Sequence, residues 1–192
     1  MPIAKTFWGV ALLMALAGAA SAHSFSVALV SGDAGGADQL RSAVRGFLVA
    51  SAENDGHSAE TADGHLGGLD VFLSPFPDTL AAGITGLVAQ TPDRFDLVVL
   101  LGDDANIKDL RGVAATTVVV TPGNLPAAAQ RTGFAERYRA RFGAAPDDAA
   151  ARGYNAARRI DQAVRRSGDA SQSAALREAL AASAGGIDWE AR

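Results

Sequence analysis

The chain of 192 residues contains 17 Lys and Arg, 21 Asp and Glu, three His and no Cys. Without Cys, the sequence excludes a disulfide framework, a Cys-based zinc site, an Fe–S cluster and a thiol nucleophile. A formal net charge of −4 argues against a nucleic-acid-binding protein, which needs a basic stripe to contact phosphates. An apolar content of 48% with 20% charged residues is typical of a folded chain, and the length predicts one domain, or two at most.

Residues 1–22 have the pattern of a secretory signal peptide. A single cation precedes an apolar run over 7–17, and the small-x-small sequence Ala-Ser-Ala then ends at Ala22. The apolar run is shorter than the roughly 20 residues that cross a membrane. We therefore predict cleavage after Ala22, a periplasmic location, and a mature domain over 23–192 without a membrane span. The alternative is an uncleaved N-terminal anchor.

The rest of the sequence alternates predicted strands with predicted helices. The short, β-branched and apolar run at 25–30 predicts a buried strand. The nearly continuous apolar run at 95–101 predicts a strand that is buried on both faces, as in a parallel sheet. Between the strands, apolar residues recur at the spacing of one helix face. The predicted strands are 25–30, 69–73, 95–101 and 116–120, and the predicted helices between them are 37–53, 79–89 and 106–113.

Beyond Pro126 the pattern is entirely helical. Gly143 and Gly168 are placed to end two of the helices, and Asp147 or Asp148 is placed to cap the second one. The three predicted helices are 134–142, 147 or 148 to 167, and 173–184. The complete order predicts an α/β fold, with a single doubly wound parallel sheet of four to five strands, helices on both faces and C-terminal helices.

Two blocks of the sequence carry further patterns. The block GFAERYRARFGAAPDDAAARGYNAARRIDQAVRRSGDASQSAALREAL contains an F-x-x-x-Y-x-x-x-F-G helix, a Gly-Tyr-x-Ala helix, a Gly-Asp junction and an A-L-x-x-A-L helix. The block FDLVVLLGDDANIKDLRGVAATTVVVTPGN has a strand ending in Gly, then a short loop and helix, then another strand. Together they resemble the type I periplasmic solute-binding proteins, among them the branched-chain amino-acid-binding proteins of ABC importers.

The sequence departs from that family in one respect. Family members have two α/β lobes that trap the ligand between them, whereas here about a dozen residues separate the fourth strand from the C-terminal helices, within the normal range for a loop. The resemblance therefore implies a periplasmic-binding-protein-like lobe without its second lobe. We therefore expect a non-catalytic, solute-binding-like protein associated with an ABC transporter, for a small ligand that is amino-acid-like or cationic. The alternative is an accessory module for a periplasmic enzyme or sensor, or a homodimer formed through the face that the missing lobe leaves open.

The candidate ligand-binding residues lie at the carboxyl ends of the predicted strands, where an open parallel sheet meets its ligand. In amino-acid-binding relatives these loops present hydroxyl and backbone N–H groups to a carboxylate. Here acidic residues follow Gly102, and such carboxylates favour a cation or an amine. The alternative for Asp33 and Asp104 is a helix N-cap. The complete set is Ser31, Asp33, Ser74, Asp103, Asp104, Asn106 and Thr121.

Three histidines are candidates for a metal site. Two Asp-Gly-His triplets place His57 and His65 in one Gly-rich stretch, and His23 is the predicted new N-terminus. Imidazoles, carboxylates and a terminal amine together could hold copper or zinc. The alternative is an ordinary solvated loop.

Motifs for catalysis are lacking from the sequence. It has no Gly-x-Ser-x-Gly elbow, no phosphate loop and no His-Glu-x-x-His. We therefore predict no enzymatic activity and no cofactor. The predicted partner is a small molecule or a periplasmic protein.

Overall fold

The computed structural model describes residues 24–31, 36–53, 61–76, 94–102, 117–171 and 174–190. Five strands form one sheet: β1 (Ser24–Val30), β2 (His65–Leu66), β3 (Leu69–Phe76), β4 (Leu97–Leu100) and β5 (Val118–Val120). Their order is β2-β3-β1-β4-β5, and all are parallel except the edge strand β2, which is antiparallel to β3. The predicted α/β fold and strand number are confirmed.

The strand order reverses beside β1. From β1 the chain moves to β3 on one side and then returns to β4 and β5 on the other side. This is the doubly wound arrangement that the sequence predicts. Its reversal point, at the carboxyl ends of β1 and β4, is where such sheets bind ligands.

The antiparallel strand β2 is not among the predicted elements. It pairs with β3 through a two-residue turn at Gly67 and Gly68, whose φ angles are +65° and +84°. Two consecutive positive φ angles are those of a tight hairpin turn and favour glycine. The Gly-Gly pair between two apolar residues was therefore the signal for this hairpin.

Strand β3 runs beyond its predicted end, through Ser74 and Pro75. The N–H groups of Val71 and Leu73 point away from β1, toward Gly64 O (3.0 Å) and Asp63 Oδ2 (2.8 Å). Pro75 is two residues beyond Leu73, so an N–H at this position would also point away from β1. The proline therefore removes no bond to β1, and the strand continues through it.

Four α-helices and one 3-10 helix are described: α1 (Gly36–Ala52), the 3-10 helix (Ala128–Arg131), α2 (Thr132–Phe142), α3 (Asp148–Ser167) and α4 (Ala174–Ala182). Asp147 is the cap of α3, since its carboxylate accepts from the Ala150 N–H at 2.8 Å. Gly143 and Gly168 end α2 and α3 in the left-handed conformation, as predicted. The predicted helices 79–89 and 106–113 lie outside the described residues.

The main core lies between one face of the sheet and the described helices. Phe47 of α1 and Ile160 of α3 are fully buried against strand residues such as Leu29. Helices α1 and α3 pack so closely that a Cβ on Gly46 or Gly153 would overlap a backbone carbonyl of the other helix. A second cluster on the opposite face contains Ala28, Val30, Phe95, Val98 and Leu100.

The connection from β5 to α2 is short. Residues 121–131 are described throughout, and they form an irregular segment that ends in the 3-10 helix. A second α/β unit is therefore not inserted at this point, in agreement with the sequence. Among the described helices, none combines the length and apolar character needed to cross a membrane.

Candidate functional site

Three of the predicted ligand-binding residues lie in the described part of the chain. Ser31 follows β1, is only 4% exposed, and donates its N–H to Phe76 O at 3.1 Å. Ser74 lies inside β3, opposite Ala28 and two residues before the strand ends. Thr121 follows β5 and is half-buried. The structure thus places Ser31 and Thr121 at strand ends and Ser74 within the sheet.

The other four residues of that set fall outside the described residues. They are Asp33, Asp103, Asp104 and Asn106. Their roles as ligand contacts or helix caps therefore stay predictions.

Helix α3 binds the carbonyl groups where β4 and β5 end. Arg152 Nη1 donates to Leu101 O at 3.1 Å, and the Arg159 guanidinium donates to Thr121 O. Asn155 Nδ2 donates to Pro122 O at 2.6 Å. These bonds hold the strand ends in place. They also occupy carbonyl oxygens that could otherwise accept hydrogen bonds from a ligand.

Two members of this set are buried polar residues. Arg159 is 3% exposed, and burial lowers its pKa. Asn155 is fully buried and also accepts a hydrogen bond from Trp189 Nε1 at 2.6 Å. The sequence analysis missed them. They could have been found from the sequence, because they are polar residues four positions apart on the alanine-rich face of a predicted helix.

Of the histidines proposed for a metal site, only His65 is described. It lies on β2, and its Nε2 is 2.7 Å from Oδ1 of Asp70, its cross-strand partner on β3. The His65 side chain is largely buried and that of Asp70 is 36% exposed. Within the described residues, no group of three or more His, Asp or Glu side chains is arranged to hold a metal ion. His23 and His57 lie outside those residues, so their predicted metal contacts stay untested.

A second polar group, here called the Glu53 cluster, consists of Glu53, Arg137, Tyr154 and Arg158. Glu53 Oε1 is 2.8 Å from Arg137 Nε and accepts the Tyr154 hydroxyl at 2.8 Å. Glu53 Oε2 accepts from Arg158 Nη1 at 3.3 Å, and Arg137 Nη2 donates to the Tyr154 oxygen at 2.9 Å. The cluster therefore joins the end of α1 to both α2 and α3.

The Glu53 cluster lies away from the strand ends that the sequence singled out. Helix α1 starts after the carboxyl end of β1 and runs back along the sheet. Near its other end, Ser51 Oγ donates to Asp63 O at 2.6 Å, and the Asp63 N–H donates to Val71 O. Val71 is opposite Phe25, near the start of β1. The backbone of Glu53 is thus beside the amino ends of the strands.

Burial controls the protonation of this cluster. Burial, followed by the nearby Glu53 carboxylate, raises the pKa of Tyr154 to about 12, so its phenol is neutral at physiological pH. Burial alone would lower the pKa of Arg137, but attraction to Tyr154 and Glu53 raises it. Arg137 therefore stays protonated beside Glu53.

A cavity of about 220 Å³ opens beside the Glu53 cluster. Its walls include Glu53, Arg137 and Arg158, together with Trp189 and Glu190 from the segment after α4. Trp189 is 4% exposed, and its ring lies 4.6 Å from that of Tyr154 and 5.2 Å from that of Phe134. The segment after α4 therefore closes one side of the cavity.

One protein family matches most of the described structure. A family model of the periplasmic binding proteins matches residues 59–188, which is more than half of the chain. The match begins before β2 and ends one residue short of Trp189. No curated protein and no solved structure gives a significant match.

The family match and the fold agree with each other. The matched region contains the strands from β2 onward and all the C-terminal helices. The family is one of binding proteins that are generally not enzymes, and its members are periplasmic. The chain belongs to the periplasmic binding protein family, in its type I, branched-chain amino-acid-binding-like group, and forms one lobe of that fold.

Proposed function

We propose that this protein is an exported, non-catalytic solute-binding protein that takes a small ligand at the carboxyl ends of β1 and β4. The observation that carries the proposal is the match to a binding-protein family together with the reversal of strand order between these two strands. An open α/β sheet binds ligands at such a reversal point. An ABC importer that receives the ligand is the natural partner of a protein of this type.

The ligand class follows from the charges that the sequence places at this edge. The Leu101 and Thr121 carbonyls are already bonded to α3, so fewer neutral acceptors are left for a ligand. Asp103 and Asp104 follow β4 in the sequence, and carboxylates favour an ammonium group or a metal cation. We therefore propose an amino-acid-like or cationic ligand. With one lobe, the site stays open to water, and its affinity is modest.

A thermal-shift screen of the mature protein tests this proposal. The screen would use amino acids, small amines, organic acids and divalent metal ions. We expect stabilisation by an amine-containing compound, and we expect it to disappear when Asp103 and Asp104 are both changed to Asn. The matched control changes Glu136 and Glu178 to Gln, which removes two charges from exposed helix positions that line neither site. A screen in which no compound raises Tm would overturn the proposal.

A second function is favoured by the short connection over 121–131. In two-lobed relatives the carboxyl edge faces the other lobe, whereas here the chain passes directly from β5 into the 3-10 helix and α2. An edge without that cover is suited to docking on a periplasmic enzyme, a sensor or a second copy of the chain. Light scattering at rising protein concentration separates these possibilities: a dimer supports self-association, and a monomer that also binds no small ligand supports an accessory role.

The gene neighbourhood provides an independent test. Permease and ATPase genes beside this one would support import, whereas oxidoreductase or sensor genes would support the accessory role. If the protein binds a solute but lacks transporter genes nearby, the ABC importer is removed from the proposal and the binding function is kept.

A further inference from the structure

Helix α3 places three polar side chains at the carboxyl ends of β4 and β5, and they differ in whether a ligand can reach them. Arg159 is 3% exposed, and its Nε, Nη1 and Nη2 atoms all donate to groups of the protein. Asn155 is fully buried. Arg152 is exposed, and its Nη1 donates to Leu101 O at 3.1 Å. Arg152 is therefore the member of this set that a ligand can contact.

The Arg152 guanidinium lies beside the point where the strand order reverses. Leu101, whose carbonyl accepts its hydrogen bond, directly follows β4. The Leu101 N–H donates to Val30 O at 2.9 Å, and Val30 is the last residue of β1. The guanidinium is thus held at the end of β4 and next to the end of β1. This is the edge at which the proposed function places the solute.

Most of the hydrogen-bonding capacity of Arg152 remains for a ligand. A guanidinium has five N–H groups in a planar fork, and the bond to the end of β4 uses one of them. The two acidic residues nearest to it on α3 and its cap are bonded elsewhere. Asp148 pairs with Arg131 at 2.9 Å, and Asp147 accepts from Ser42 Oγ at 2.9 Å. Within the described part of the chain, no carboxylate forms an ion pair with Arg152.

A fork of available N–H groups favours a carboxylate, because the two oxygens of a carboxylate accept two parallel hydrogen bonds from one guanidinium. We propose, on the basis of the function proposed above, that Arg152 is the carboxylate-binding residue of the solute site. The guanidinium takes the part that hydroxyl groups have in amino-acid-binding relatives. A solute without a carboxylate, such as a simple amine or a metal cation, is thereby excluded as the natural ligand.

Pairs of probes that differ by one carboxylate test this assignment. The probes are L-alanine, L-leucine and L-lysine, and their controls are ethylamine, 3-methylbutylamine and 1,5-diaminopentane, which lack only the carboxylate. Titration calorimetry should show an amino acid that binds at least about tenfold more tightly than its amine. An amine that binds as tightly as its amino acid would overturn the role of Arg152 and leave the solute-binding function in place. Binding by none of the six compounds would overturn both.

Three variants locate the carboxylate. Arg152→Gln removes the charged fork but keeps an N–H donor for Leu101 O. It should raise Kd for the amino acid about tenfold, as the loss of a charge-assisted hydrogen bond does, and leave Kd for its amine unchanged. Arg152→Lys keeps the charge without the fork and should raise Kd for the amino acid about threefold. Arg166→Gln removes an exposed arginine at the other end of α3 and should change neither Kd.

The binding of amines separates this role from simple neutralisation of charge. If Arg152 served only to offset the carboxylates that follow Gly102 in the sequence, Arg152→Gln would tighten the binding of amines and would not weaken that of amino acids. Such a result would overturn the proposal, as would equal Kd values for Arg152→Gln and Arg166→Gln. If Arg152→Gln fails to fold, the comparison of each amino acid with its amine on the wild type still tests the assignment.

Discussion

The strand ends and the Glu53 cluster use polar groups in different ways. At the strand ends, backbone carbonyls such as Leu101 O and Thr121 O accept bonds from α3. In the Glu53 cluster, side chains contact one another: the carboxylate of Glu53 accepts hydrogen bonds from Tyr154 and Arg158 and forms an ion pair with Arg137. The first arrangement holds the backbone and leaves the contacts with a ligand to side chains, whereas the second concentrates charge beside a cavity. Polar side chains near a strand end can thus serve to hold the backbone, while a denser group of charges lies elsewhere in the molecule.

Both regions depend on where α3 lies, so damage to its contact with α1 should affect both. We predict that Gly153→Ala lowers the free energy of unfolding by about 3 kcal/mol or more, as severe overpacking does. Its Cβ would be 2.7 Å from the Ala43 carbonyl carbon and closer still to the oxygen. Urea unfolding measures the loss, which should occur although alanine is the better helix former.

The control for this variant is Gly185→Ala. No heavy atom lies within 4 Å of the Cβ position at Gly185, and its φ is not positive. We expect its urea midpoint to stay close to that of the wild type. Equal stabilities for the two variants would show that α1 and α3 pack less closely than described. The positions of the strand ends and of the Glu53 cluster would then not depend on that contact.

Loss of the Glu53 charge should affect only the Glu53 cluster. Glu53→Gln leaves Arg137 and Arg158 without their shared carboxylate, which should cost about 2 kcal/mol of unfolding free energy, between the cost for an exposed ion pair and that for a buried one. Glu136→Gln, at an exposed position of α2, is the matched control. If both variants have the same urea midpoint, the cluster is no more than a solvated set of surface charges.

The raised pKa of Tyr154 predicts a change of stability with pH. Its ordinary pKa is 10.0, and in the folded protein the pKa is about 12. Because the folded state holds this proton more tightly, its contribution to stability is complete below pH 10 and is lost as the pH rises from about 10 to about 12. The loss should be of the order of 2 kcal/mol. It should be missing from Tyr154→Phe, and urea unfolding of both proteins across this range checks it.

The smallest effect is expected at the strand ends. Thr121 takes part through its backbone carbonyl, so Thr121→Val keeps the bond to Arg159. We expect the unfolding free energy to change by less than about 0.5 kcal/mol. A larger loss would mean that the hydroxyl itself is structural, and the contrast between the two regions would then be weaker than we describe.

Periodicity and stop signals predicted much of the fold. The strand at 25–30 and the helix at 37–53 match β1 and α1 within a residue, because their apolar patterns are long and regular. The predicted strand 69–73 stops short of Pro75, whereas β3 continues through it, since a proline breaks a strand only where its N–H is needed. The turn at Gly67 and Gly68 was visible in the sequence, but the strand beside it has only two residues.

The candidate site was predicted less well than the fold. Residues after strands are easily found, because strand ends are local features, and this is how Ser31 and Thr121 were chosen. Arg137, Tyr154 and Arg158 come from two helices, and each one alone has the pattern of an ordinary helix surface or core residue. Only the packing of α2 and α3 against the end of α1 brings them to Glu53. Single-residue signals contain no information about that arrangement.

The packing of α1 against α3 also sets the order in which the chain can fold. Glu53 bonds to Tyr154 and Arg158 across separations of 101 and 105 residues. The apolar face of α1 therefore has no partner from α3 until the later helix has been made. Contacts between segments so far apart are slow to form, because a long loop must close first. We expect the first half of the chain to stay open during synthesis and to fold in one step when the helix beginning at Asp148 arrives.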